Sequence, residues 1–320
     1  MAGFLLSTFA RVLRVDLRPG RPAEVAPLLE GRGIYFGIAR EGRRVWVAER
    51  NRDATGAPAD PGAPQDAIRR WHLSRRGLVP DETATATGPH GTDGTDGTDG
   101  TATAEPRLAD LHQIAWDGAG LWATTAETPF LLRRAGGGWS GIPVASALPP
   151  DLRAAPPGAD TAPARARDPH HFNSIALAGP TVYVVAHNWG RQSFALALDR
   201  RAAETGRAIR LGVWREIGQL AHDILPAFGA LWSLDSGRGS VVRLGPPHLA
   251  LPIPTGTRPF PRGLAARGHH LYVAHGEYAE ERSARAMGPA RISRFDPIRL
   301  CFDAHWEIGP HGNTCVLVPL

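Results

Sequence analysis

One supersecondary unit recurs five times along this 320-residue chain, and nothing else in the sequence limits the fold so tightly. The copies are "YFGIAREGRRVWVAERN" from Tyr35, "LHQIAWDGAGLWATTAE" from Leu111 and "FNSIALAGPTVYVVAHN" from Phe172, then "AHDILPAFGALWSLDSG" from Ala221 and "PRGLAARGHHLYVAHGE" from Pro261. Each has a small polar or aromatic head, an Ile/Leu-Ala-like pair, a Gly-bearing turn and an aromatic residue among β-formers. That pattern reads as strand, tight turn, strand. Several copies are followed by a third strand candidate: "PFLLRRA", "SFALALD", "SVVRLG" and "ARISRFD". Long helical periodicity is absent almost everywhere. A hairpin-based sheet cannot cover both of its own faces, so recurring units must pack on one another. Short strands in repeated hairpins, with an aromatic at a fixed place in the second strand, indicate an all-β fold, a β-propeller. Trp46, Trp122, Tyr183, Trp232 and Tyr272 are then expected between blades.

The repeats predict five full blades. At the ends, "FARVLRVDLRPG" and "AEVAPLL" look like outer strands lacking an inner hairpin, and "GNTCVLVPL" like one more strand. Joining the termini in one sheet closes the ring and removes a sheet edge. The end strands then complete the fifth blade or form a composite sixth. One domain, 1–320, is expected, with two interruptions. Residues 81–107 are Thr/Gly/Asp-rich and short of apolar side chains, which predicts a disordered loop. Their GTD triplets lack the ligand spacing and terminal Glu of a calcium loop. Residues 149–168 are Pro/Ala-rich and read as a surface loop.

In a propeller the first strand of each blade lines the central channel. The start of strand one and the end of strand two lie on the same rim, so two sets of residues converge there. The heads are Phe36, His112, Asn173, His222 and Arg262, with His171 and Asp223 beside them. The strand-two ends are Glu49, Thr125, His187, Asp235 and His275. Buried polar groups are costly unless paired, so such a ring predicts a pocket for a small polar or anionic molecule. His112, His222 and Arg262 are the candidates for chemistry, the imidazoles as acid or base and Arg262 for a developing or bound anion. His171, Asn173, His187, Asp235, His275 and Glu49 are candidate ligand contacts. His112, His187, His222 and Asp235 form a candidate set for one divalent metal ion, and a metal-assisted hydrolase or lyase is one outcome. The other is a non-enzymatic scaffold that binds a protein partner. No serine nucleophile elbow, P-loop or GxGxxG followed by a helix is present.

The sequence pI of about 10.0 would suit nucleic acid, but all 36 basic residues are arginine, they are scattered, and the net charge is only +5. We expect no nucleic-acid partner. The apolar stretch Phe4–Phe9 lacks a basic flank and no run reaches transmembrane length, so a cytoplasmic, membrane-free protein is expected. Cys301 and Cys315 lack metal-ligand spacing and read as ordinary thiols.

The motifs "LHQIAWDGAGLWATT", "HHFNSIAL", "AHDILPAFGALWSLDSGRGSVVRL" and "PFPRGLAARGHHLYVAHGEYAEE" in this order resemble an uncharacterised bacterial family, domain of unknown function 4915. The resemblance spans about residues 31 to 296 and points to His112, His171, Asn173, His222, Ser236, Gly237, Gly239, Arg262 and Gly263. The chain departs from that family at Gln113, Ser174, Ala221 and Asp223, where the family carries Asp, Gly, Pro and Ser. More distantly, the polar-headed repeats are similar to streptogramin lyases and gluconolactonase-type propellers. That likeness implies a metal in the channel, at the level of fold alone.

Overall fold

Each repeat folds as an antiparallel hairpin whose turn is set by local chemistry. In the second, the Asp117 carboxylate accepts the Ala119 and Gly120 amides at 2.7 and 2.6 Å and the Trp122 indole N–H at 2.7 Å. Gly118 takes φ +93°, a conformation side chains resist. The computed structural model describes residues 1–53, 57–59, 66–74, 77–87, 108, 110–126, 130–153, 170–188 and 192–320.

Strands β1 (Ala2–Thr8), β2 (Arg11–Leu17) and β3 (Glu24–Glu30) open the chain. The first blade is β4 (Ile34–Glu41), β5 (Arg44–Arg50), β6 (Asp66–Ser74) and β7 (Gly77–Thr87). The second is β8 (Leu111–Trp116), β9 (Leu121–Thr125), β10 (Phe130–Ala135) and β11 (Gly138–Pro143). The third comprises β12 (Phe172–Ala178), β13 (Thr181–Ala186), β14 (Phe194–Asp199) and β15 (Arg210–Trp214). The fourth comprises β16 (His222–Ala227), β17 (Ala230–Asp235), β18 (Ser240–Leu244) and β19 (Leu249–Pro252). The fifth has β20 (Pro259–Arg267), β21 (His270–Glu277), β22 (Ala290–Asp296) and β23 (Cys301–Gly309). Finally β24 (Thr314–Pro319) returns to pair with β1, giving a sixth sheet ordered β24-β1-β2-β3.

The molecule is therefore a six-bladed β-propeller of four-stranded sheets, which corrects the expected five. The cause is β1: "AGFLLST" has its inner partner at the other end of the chain, so no hairpin announces it. Two other expectations change. Residues 81–87 continue β7, where Thr alternates with Ala and β-branched residues favour extended backbone, and Pro150–Arg153 forms a single helical turn. Residues 88–107 and 154–168 lie outside the described residues.

Inner strands β4, β8, β12, β16, β20 and β24 touch in cyclic order. Six apolar clusters fill the six gaps between blades. Trp46 packs with Ile114 and Leu132, Trp122 with Val182 and Leu196, and Tyr183 with Ile224 and Val242. Trp232 meets Leu264 and Phe295, Tyr272 meets Phe4 and Leu13, and Leu5 and Val316 meet Tyr35 and Val47. The five repeat aromatics thus pack between blades as expected. Burying such a ring removes on the order of 200 Å² from water, about 5 kcal/mol each. Among the described residues no helix is long and apolar enough to cross a membrane.

Candidate binding site in the central channel

All six inner strands break register at the same height. Pairing jumps from Tyr35 to Gly37, Leu111 to Ile114, Phe172 to Ser174, His222 to Ile224 and Pro261 to Gly263, and on β24 from Val316 to Thr314. These are β-bulges, which leave a residue without a ladder partner and re-aim its side chain. The residues so released are Phe36, His112 with Gln113, Asn173, Asp223, Arg262 and Cys315. Phe36, His112, Gln113, Asn173, Arg262 and Cys315, together with Ser174, His222 and Val316, enclose one void on the axis. It is narrow, with room for about one water.

One tier of this site is structural. An inner strand has a neighbour on one side only, so some of its amides face the axis and need acceptors. Gln113 Oε1 accepts Ile175 N at 2.6 Å, Asp223 Oδ1 accepts Ile224 N at 2.8 Å, and Asp223 Oδ2 accepts Leu264 N at 2.7 Å. Gln113 Nε2 donates to Asp223 Oδ1 at 3.1 Å. Ser174 Oγ donates to Asn173 Oδ1 and accepts Asp223 N, while Asn173 Nδ2 donates to Ala221 O at 3.0 Å. Four blades are thereby stitched together. Burial pushes the Asp223 carboxyl up to about 6, against the pull of these donors.

The other tier is a run of rings. Phe9, Phe36, His112, His171, His187, His222, Phe260 and Tyr278 follow one another with centroids 5.5, 5.0, 4.7, 4.9, 5.4, 5.6 and 5.6 Å apart. Burial, then the Arg50 and Arg262 cations, holds His112 well below the ordinary imidazole value. Burial does the same to His222, followed by Arg262 and the neighbouring histidines, and to His171, followed by those histidines. His187 is brought down to about 3 by burial and Arg262. These imidazoles are neutral at pH 7. Two of their tautomers follow from their partners. His112 Nδ1 lies 2.8 Å from the Asp110 carbonyl, which can only accept, so the proton sits on Nδ1. His222 Nδ1 lies 2.8 Å from Ser236 Oγ, whose own proton goes to the Pro261 carbonyl. In both rings Nε2 therefore keeps its lone pair.

Arg262 is the single bulge residue with a permanent charge. It is half-buried, and its guanidinium lies 5.2 Å from the Phe36 ring and 5.9 Å from Phe9. Its Nε is buried without a hydrogen-bond partner, and among the described residues no carboxylate pairs with it. Burial lowers its pKa, Cys315 opposes that, and Arg285 adds to it. Arg50, by contrast, stacks on Phe36 at 4.6 Å but is compensated by Asp66 and Asp110. Cys315 is buried beside this charge and its thiol is pushed up to about 11, while Cys301 is exposed; no disulfide joins them.

The structure thus gathers His112, His171, Asn173, His187, His222 and Arg262. Three expected contacts sit elsewhere. Glu49 shares its strand face with Val45 and Val47, which pack between the first and sixth blades, and pairs with Arg69 at 2.8 Å. Asp235 accepts Gln219 N and Arg238 N at 3.0 and 3.1 Å and so shapes the turn before β16. His275 is fully buried against Ser293 Oγ at 2.9 Å. Both faces of a blade look toward a neighbouring blade, whereas His187, which does reach the rings, lies one residue beyond β13. Sequence reasoning missed Cys315 and Phe9 and left Gln113 and Asp223 beside the site rather than on its axis. With Asp235 held in its turn, the expected metal set loses its carboxylate. Among the described residues no three His, Cys, Asp or Glu side chains are arranged to hold a metal ion.

No protein-family model matches the sequence, and no curated protein matches it. Solved structures do match. A chain of a nidogen–laminin complex aligns at TM-score 0.60 and 13% identity, over 99% of this chain and 97% of that one. A protein from Lactobacillus plantarum aligns at TM-score 0.55 and 9% identity, over 100% and 99%. A virginiamycin B lyase from Staphylococcus aureus aligns at TM-score 0.45 and 11% identity, over 86% and 69%. The first two likenesses support the propeller fold, and identities this low carry nothing about activity.

Proposed function

We propose that the channel binds a small oxyanion that also carries a hydroxyl, such as bicarbonate or a short hydroxycarboxylate. The observation behind this reading is Arg262, a cation set on the axis with no counter-charge among the described residues and an orphaned Nε. A charge removed from water is expensive unless paired, and an anion in the adjacent void supplies the pairing through a forked contact. The lone pairs on His112 Nε2 and His222 Nε2 want a donor, which a hydroxyl supplies. The void as it stands has room for about one water, so the ligand is small and its entry requires the surrounding rings to move apart. Among the described residues no three side chains are arranged to hold a divalent metal, so no hydrolytic or lyase step is routed through one, and the reading is of binding.

Thermal unfolding with and without bicarbonate or glycolate tests this, on the full chain and on Arg262→Met. The wild type should gain stability with anion concentration, about 2.7 kcal/mol at a hundredfold excess over Kd. Arg262→Met should lose that response, and in anion-free buffer should stay near the wild type or exceed it, because a half-buried cation with an unpaired Nε has gone. An equal response in both proteins, or none in the wild type, overturns the reading and leaves the scaffold alternative.

A further inference from the structure

A second cavity, of about 160 Å³, lies between the first two blades, away from the axis. Its walls include Trp46, Ile68, Trp116 and Leu121, and Arg70 and Arg134 stand at its edge. Trp46 and Trp116 are stacked, centroids 4.4 Å apart and planes 16° from parallel. Trp116 Nε1 is buried with no acceptor, an exception that buried donors in native proteins seldom make. The arginines of this region differ from one another. Arg70 is paired with Asp81 at 2.7 Å and Arg133 with Asp117 at 3.4 Å, whereas Arg134 has no acidic partner among the described residues. Apolar cavities of about 150 Å³ take up a benzene ring.

From this conjunction we infer that the inter-blade cavity is a binding site for a small planar aromatic carboxylate. The ring lies against the indole pair, the carboxylate meets the Arg134 guanidinium, and one of its oxygens can accept the Trp116 indole proton. Gly136 and Gly137, which line the cavity as well, carry no side chain. The site is separate from the channel and does not depend on what the channel binds.

The test is a titration of the full chain with benzoate, followed by tryptophan fluorescence and calorimetry. Saturable quenching is expected, with affinity falling about tenfold or more in Arg134→Ala as a charged contact is lost. Trp116→Phe keeps a ring and removes the N–H, so it should weaken benzoate while leaving the melting temperature near that of the wild type. Cyclohexanecarboxylate, with equal charge but no flat ring, should bind more weakly than benzoate. Repeating the titration on Arg262→Met separates the two sites and should give the wild-type affinity. Absence of saturation below about 10 mM, wild-type affinity in Arg134→Ala, or a loss that follows Arg262→Met instead would each overturn the assignment.

Discussion

Ser236 shows how one hydroxyl can set the chemistry of a neighbouring ring. It donates to the Pro261 carbonyl and so has only a lone pair to offer His222 Nδ1, which must then carry the imidazole proton. The free Nε2 of His222 is a consequence of that arrangement. Ser236→Ala should therefore do two things. It should cost about 1–2 kcal/mol, since a buried carbonyl loses its donor and a buried N–H its acceptor. It should also release the tautomer, so that ¹⁵N spectra of His222 shift from a protonated Nδ1 toward a mixture. A spectrum that stays wild-type would mean that the Leu220 backbone, the other hydrogen-bond partner of His222, holds the ring. The family resemblance had pointed to Ser236, but only the geometry says what its oxygen does.

At the level of the strand, the site exists because every inner strand slips by one residue at one height. Two of those slips need glycine. A Cβ on Gly263 would stand 2.8 Å from Leu317 N and 3.1 Å from the Val316 carbonyl carbon, and one on Gly37 would stand 2.8 Å from the His112 oxygen. Both obstacles are backbone of the next blade and cannot swing aside. Gly263→Ala and Gly37→Ala should each lose about 2 kcal/mol or more in urea unfolding, while Gly138→Ala, in an outer strand with nothing within 4 Å, should lie near the wild type. Equal behaviour of all three would remove the close approach from the account. The slip also explains what the sequence could and could not tell. Aligning the repeats on their Ile/Leu-Ala pairs selects the residue two places earlier, which gives Phe36, Asn173 and Arg262 correctly. In the second and fourth blades the slip comes so that Gln113 and Asp223 reach the axis network, and His112 and His222 join the run of rings. Periodicity carries no mark of a bulge, so that one-residue offset could not be read in advance. Cys315 was hidden for another reason: its strand pairs with β1, more than 300 residues away.

Over the whole molecule, closure of six blades around one axis concentrates neutral imidazoles where protons are unwelcome. His112, His171 and His222 are held well below their ordinary value, and His187 and His275 are brought to about 3 and about 4, in each case with burial as the leading cause. In the unfolded chain the same groups titrate near 6.5. Between that pH and their folded values the unfolded state binds more protons, so stability falls as the solution is acidified. Each histidine contributes up to about 1.4 kcal/mol per pH unit in that window. Asp223 works in the opposite direction. Its folded carboxyl titrates near 6, above the ordinary value, so it favours folding as pH drops through 6. Burial also raises Glu49 and Asp235 and also lowers His170, His305 and His311, so eight histidines against three carboxyls leave a net loss. Urea midpoints measured at pH 7.5, 6.5, 5.5 and 4.5 should fall modestly over the first step, by about 0.3 kcal/mol per histidine as the unfolded imidazoles begin to protonate, and then drop with increasing slope. Because the proposed channel anion would sit beside the same rings, saturating glycolate should shift that drop to lower pH in the wild type but not in Arg262→Met. A midpoint that stays flat down to pH 4.5 would mean that the rings around the axis are already protonated or are open to water, and the neutral lone pairs on which the channel's ligand preference rests would be lost with it.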